Sequence, residues 1–184
     1  VKVDLKVEKA IKNFTDKIKN NIAEITLVHS AALSRDNLAW QFDLNDWQAV
    51  MDANLKGPFL LTKELLFPMM KQSWGRIIHF SSIAATQGKS GTLAYSTTKM
   101  GVLGMSRVLA REYGRFGITS NVIMPGYLDA GLIDTLSEYE KKEILRTIPS
   151  GKFGDSKNII NAIEFIIKSD YVNGTCLKID GGIL

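Results

Sequence analysis

The chain has 184 residues, 45% of them hydrophobic, and its 23 Lys and Arg against 19 Asp and Glu leave a net charge of +4. That length and apolar share suit one packed domain over residues 1–184. The lone cysteine, Cys176, excludes an internal disulfide, no Cys/His set has metal spacing, and no apolar run approaches the roughly 20 residues of a membrane span. The first residues, Val1-Lys2-Val3-Asp4-Leu5-Lys6, are charged where a signal peptide is apolar, so a soluble, cytoplasmic protein in a reducing compartment is expected. Lys and Glu are mixed along the helices instead of forming a basic block with interleaved aromatics, which argues against a nucleic-acid partner. A mildly basic face leaves an acidic partner open.

Short β-rich apolar runs alternate with longer helical patterns, which predicts an α/β class with a parallel sheet covered on both faces. Residues 1–5 read as a strand, and Val7, Ala10, Ile11, Phe14, Ile18 and Ile22 then recur at helical spacing. Residues 25–28 form the next buried strand. Asp43 caps a helix carrying Trp47, Val50, Met51 and Leu55 on one face, with Asp46 three residues on in a capping-box-like start. Pro68 is expected to kink or end the helical stretch. Residues 76–81 are a third strand, followed by a loop of small residues.

A long helix covers residues 94–113 and closes in the turn from Gly114 to Gly117. The strand at residues 118–124 is broken by Pro125-Gly126. Residues 132–146 look like one or two short surface helices, and residues 132–148 are a candidate lid over a pocket. A last helix over residues 156–167 leads through Asn173-Gly174 into a strand at residues 176–179. There is no internal repeat, low-complexity tract or Ser/Gly linker.

Tyr95 and Lys99 stand four apart on a predicted helix, so both side chains share one face. Alone, that spacing describes a solvated helix face. Ser81 and Ser82 follow a strand, at the carboxyl edge of a parallel sheet where such folds bind ligands. Asn54 lies inside a helix, where an amide is a mediocre former. Taken singly, Ser82 is a strand-end cap and Asn54 a helix–helix hydrogen bond.

Together these residues make a set that resembles the short-chain dehydrogenase/reductase family over nearly the whole chain. Gly75-Arg76-Ile77-Ile78-His79-Phe80-Ser81-Ser82 is similar to the family's serine strand, and Tyr95-Ser96-Thr97-Thr98-Lys99 to its tyrosine-lysine helix. The run from Gly117 through Asn121 and Pro125-Gly126 to Tyr127 resembles the strand and loop beside the nicotinamide. Leu177-Lys178-Ile179-Asp180-Gly181-Gly182 resembles the C-terminal strand and glycine pair. Ser34-Arg35-Asp36-Asn37-Leu38 ahead of Trp47 is worded like the bacterial 3-oxoacyl-[acyl-carrier-protein] reductases within that family.

The resemblance implies a Rossmann-like doubly wound parallel sheet and an oxidoreductase that moves a hydride to or from a carbonyl or alcohol with NADP or NAD, reducing 3-oxoacyl thioesters in fatty acid biosynthesis. It implies a catalytic set of Asn54, Ser82, Tyr95 and Lys99, in which Ser82 bonds the substrate oxygen and Asn54 holds a water relaying protons. It places the cofactor along Asp4, Leu5, His29, Ala31, Tyr95, Lys99, Pro125, Gly126 and Leu128, with Lys99 on the ribose hydroxyls. It also implies a homotetramer, consistent with the apolar faces around residues 51–70 and 100–110. Chemically, a carbonyl accepting hydride needs a proton and a preorganised donor. A phenol of pKa about 10 serves better if a nearby cation lowers it by roughly 1 to 3 units, the part expected of Lys99. His29 and His79 fall in or after buried strands and are given no acid/base role, and Arg111 and Glu112 are read as surface or interface charges.

Four departures qualify that expectation. There is no glycine-rich turn of the kind that binds pyrophosphate at a helix N-terminus, and the first two strands of the usual sheet are lacking; residues before Val1 are expected to carry them. His29-Ser30-Ala31-Ala32 replaces the family's Asn-Asn-Ala-Gly. Ala130 stands where a threonine would bind the carboxamide. Ser73 and Phe116 occupy the basic carrier-docking positions, with Arg115 adjacent. The first three keep open a non-catalytic subunit or pseudoenzyme, which would give no heat of cofactor binding, and an oxidative alcohol dehydrogenase is a third reading.

Overall fold

The computed structural model of the protein describes residues 1–19, 23–129 and 131–184. Four strands, β1 (Thr26–His29), β2 (Gly75–Phe80), β3 (Ile118–Pro125) and β4 (Cys176–Ile179), form one parallel sheet in the order β1-β2-β3-β4. The register sets His29 opposite His79, Ile78 opposite Asn121, and Met124 opposite Lys178. The first five residues of β2 and the first seven of β3 are buried. Runs buried without alternation are what a strand covered on both faces shows, although these two also bury Arg76, His79, Thr119, Ser120 and Asn121.

Because side chains alternate along a strand, neighbouring residues of β2 feed two different cores. Ile77 packs with Ile25, Leu65, Leu66, Met69, Leu109 and Ile118, under α3 (Gly57–Gln72) and α5 (Leu93–Tyr113). Ile78 packs with Ile123, Ile159, Ala162 and Ile166, against α7 (Ser156–Lys168) on the other face. Helices therefore cover both faces of the sheet. Further out, α1 (Glu8–Ile18) lies against α3. Arg76 fastens the second layer: its guanidinium donates to the Ile167, Gly75 and Gly117 carbonyls at 2.9–3.1 Å, and so closes the C-terminal end of α7.

The strand expected at residues 1–5 is not formed. A strand exists through its partner, and no described strand runs beside this segment. Instead, the Val7 N–H donates to the Asp4 carbonyl and the Lys6 N–H to the Asp4 carboxylate, turning the chain into α1. Leu5 crosses the start of α3 so closely that a Cβ on Gly57 would lie 2.6 Å from the Leu5 carbonyl oxygen. Ile22, placed on the first helix from its spacing, lies outside the described residues. Pro68 neither ends nor breaks α3, which runs on to Gln72 and closes on Ser73 in the left-handed region at φ 52.

Asp43 caps α2 (Leu44–Met51), accepting the Asn45 and Asp46 N–H groups. Asp46 faces Arg35 at 3.4 Å instead of returning to its cap. The reciprocal capping box is found on α6 (Glu138–Thr147), between Ser137 and Glu140. The loop of small residues after β2 contains a short helix, α4 (Ile83–Gln87), which Ser82 caps. No helix among the described residues is long and apolar enough to cross a membrane.

Candidate active site

β2 ends at Phe80, and the two serines after it diverge. Ser81 turns inward and donates to the Lys99 carbonyl at 2.7 Å, which fixes the strand end against α5. Ser82, with extended backbone, turns outward and accepts the Ala84 N–H at 3.2 Å. The first turn of α5 is held by Thr92, only 4% exposed, whose hydroxyl donates to the Lys89 carbonyl and meets the Ser96 hydroxyl at 2.8 Å. Ser96 reaches back to the Ala84 carbonyl at 3.3 Å, so α4 and α5 are tied on both sides of Tyr95. The Tyr95 phenol is thereby presented towards the Ser82 hydroxyl, on the same cleft.

Lys99 sits one turn further along and is 4% exposed. Its ammonium donates to the Phe80 carbonyl at 2.9 Å and lies over the Tyr95 ring, 5.6 Å from the centroid. Burial pulls its pKa down to about 8. Tyr95 departs from the acidity expected of it. Burial raises its pKa above the ordinary phenol value, the nearby Ser82 hydroxyl opposes the rise, and the Asp36 carboxylate adds to it. The reason is geometric: the ammonium is engaged by a backbone carbonyl and addresses the face of the ring.

Asn54, 2% exposed, lies in a π-helical segment, Asp52–Lys56, between α2 and α3. Such widened turns recur at functional sites. Its amide accepts the Leu33 N–H at 2.7 Å and donates to the Leu33 carbonyl at 2.8 Å and to Thr98 at 3.2 Å. The loop after β1 is thus clamped to the helix that carries Lys99.

Ser82 and Tyr95 open onto a cleft of about 350 Å³ beyond the carboxyl ends of β2 and β3. Gly126, Tyr127, Leu128 and Ile133 line this cleft, as do Ser34, Asp36, Lys89 and Thr92 at its rim. Gly126 permits this, because a Cβ there would stand 2.7 Å from the Asp180 Cα. Ile133 comes from the expected lid segment and is 6% exposed. The rim residues Asp36, Lys89 and Thr92 escape sequence reasoning, because the contact that builds the rim, a bridge of Asn37 to Thr92, joins distant stretches.

Of the expected cofactor positions, Asp4, Leu5 and Ala31 share a second cleft of about 240 Å³ with Ala32, Leu33 and Ala53. Pro125 ends β3 beside Gly126. His29 is 7% exposed; its imidazole contacts the Thr62 hydroxyl at 2.9 Å and stacks on His79 with ring centroids 4.8 Å apart. Burial and Lys99, and for His29 also His79, keep both rings neutral, His29 down at about 3 and His79 at about 4. Ala130 lies outside the described residues. No grouping of His, Cys, Asp and Glu able to hold a metal occurs among the described residues.

The family model described as enoyl-(acyl carrier protein) reductase matches residues 1–184. The 3-oxoacyl-[acyl-carrier-protein] reductase FabG of Haemophilus influenzae is 35% identical over 179 residues, which is 96% of this chain and 74% of that protein. The same-named protein of Aquifex aeolicus is 34% identical over all of this chain and 75% of its own. Among solved structures, a protein from Agrobacterium tumefaciens assigned as a 2-deoxy-D-gluconate 3-dehydrogenase, with bound NADP, superposes with a TM-score of 0.90 at 30% identity, covering 100% of this chain and 75% of its own.

Proposed function

The chain belongs to the short-chain dehydrogenase/reductase family, and we propose that it is an NAD(P)-dependent reductase of 3-oxoacyl thioesters, using Ser82, Tyr95, Lys99 and Asn54. The observation that carries this reading is that Ser82 and Tyr95 line one cleft together, with Lys99 buried against the Tyr95 ring. Two hydroxyls converging on one point suit a carbonyl oxygen that becomes an alkoxide. The relatives' names point to the thioester.

The nicotinamide supplies the hydride. Tyr95 gives its proton to the oxygen as the carbonyl carbon is reduced. Ser82 holds that oxygen. Lys99 bears on Tyr95 from the ring side and stands free to bond ribose hydroxyls at its remaining N–H positions. The residues fit such a cofactor: the Asp4, Leu5 and Ala31 cleft has room and a carboxylate for a heteroaromatic base, while Gly126 and Leu128 edge the substrate cleft. Asn54 acts by positioning, through Leu33 and Thr98.

The test is oxidation of NADPH or NADH by purified protein with a 3-oxoacyl thioester. Ser82→Ala and Tyr95→Phe are each expected to lower kcat by about a hundredfold or more while cofactor binding by calorimetry persists for Ser82→Ala. Absence of both cofactor-binding heat and carbonyl reduction would leave a non-catalytic protein.

A further inference from the structure

Resting on the reductase reading of the Ser82 and Tyr95 cleft, the geometry points to Lys89 as the residue that selects the substrate, by binding an anionic group carried beyond the reacting carbonyl. Lys89 lines the same cleft as Ser82 and Tyr95, together with the apolar Leu128 and Ile133. It is a cation without a use elsewhere: it makes no ion pair among the described residues.

Its place is fixed from below. The Lys89 N–H reaches the Ala84 carbonyl at 3.5 Å, and its own carbonyl accepts both the N–H and the hydroxyl of Thr92, at 3.2 and 2.7 Å. Thr92 is buried, opens the helix that carries Tyr95, and bridges to Asn37. The turn that presents Lys89 is therefore braced against the catalytic helix, so the distance from ammonium to reacting centre varies only with the lysine side chain. Asp36, the carboxylate on the same rim, holds the Ser34 hydroxyl at 2.6 Å. It repels an anion from that side and confines the anionic group to the Lys89 side, while Leu128 and Ile133 take the hydrocarbon part.

The anion is a carboxylate or phosphate of the substrate itself, a short oxo acid or a thioester on a phosphorylated carrier arm. Three substrates separate these: acetoacetate, a 3-oxoacyl coenzyme A, and the uncharged 3-oxoacyl N-acetylcysteamine thioester. In Lys89→Gln the ratio of kcat/KM for the preferred anionic substrate to that for the uncharged one is expected to fall about tenfold, through KM and not kcat. Lys89→Arg should restore most of it. Added salt should reduce the ratio in the wild type and leave it unchanged in Lys89→Gln. A fall in the acetoacetate arm assigns the carboxylate, and one in the coenzyme A arm the phosphate. An equal effect of Lys89→Gln on all three substrates overturns the inference and leaves the reductase reading standing. Wild-type protein that reduces none of the three removes the reading on which it rests.

Discussion

Lys99 shows how a single residue can oppose stability while serving chemistry. Its pKa falls from 10.5 to about 8 on burial, so the folded protein holds that proton less tightly than the unfolded chain. The buried ammonium is therefore a burden below pH 8 that lifts as pH climbs towards 10.5, at about 1.4 kcal/mol per unit. Lys99→Met keeps the stem and removes the charge, and it also loses the bond to Phe80, worth about 1 kcal/mol. Net stabilisation of about 2 kcal/mol at pH 7 is expected in urea titrations, shrinking by pH 10, with reductase activity lost. The two histidines behave in the opposite sense to a surface imidazole. Both have folded values far below 6.5, at about 3 and 4, so the unfolded chain takes up protons first as pH falls. Stability is complete above pH 6.5 and drains away below it, by about 1.4 kcal/mol per histidine between pH 7.5 and 5.5. His79→Phe should halve that slope; a flat profile in the wild type would show that the rings titrate normally.

At the scale of elements, the π-helical segment Asp52–Lys56 decides where the loop after β1 lies. Asn54 satisfies both the N–H and the carbonyl of Leu33. Asn54→Ala leaves both unpaired in a part-buried place and is expected to destabilise by roughly 2 kcal/mol. It should also raise KM, since the freed loop carries Ser34 and Asp36 to the cleft rim. Chemical denaturation and steady-state kinetics measure the two effects. The strands were readable in sequence because β-rich apolar runs have few other uses, and β4 starts and stops where the composition says. Asn54 was legible as an amide out of place in a helix, but the widened turn around it depends on Leu33 and Thr98, which only folding brings near. The segment at residues 1–5 misled because β propensity describes a residue that has a neighbouring strand. α4 escaped notice because five residues give too little periodicity, and its cap, Ser82, looked like a strand end. Tyr95, Ser82 and Lys99 could be picked from spacing and resemblance; that the ammonium meets the ring face and not the phenol oxygen could not.

For the whole molecule, the same two helices that cover one sheet face leave their outer sides apolar. Phe59 and Phe67 on α3 are 49% and 72% exposed, and Met100 and Val108 on α5 are 46% and 54% exposed. Phe59 adjoins a groove with Met51, Leu55, Gly101 and Met105. Exposed apolar patches on soluble proteins commonly mark contacts with another chain, and the groove beside Phe59 is the candidate. Gly101 brings the floor of that groove down, since a Cβ there would lie 3.2 Å from the Leu55 side chain, and a flattened helix face lets a second helix approach. A symmetric pairing of α3 and α5 between copies would bury all four side chains on both partners at once, as a two-fold interface requires. We expect a homo-oligomer, a tetramer if a second two-fold contact forms. Light scattering on purified protein should give a multiple of the mass of one chain, and the double substitution Phe59→Glu with Val108→Glu should lower it by placing carboxylates on the contact from both copies. Retention of secondary structure by circular dichroism in that variant separates lost association from lost folding, and a wild-type monomer at micromolar concentration would show that the exposed face is tolerated uncovered.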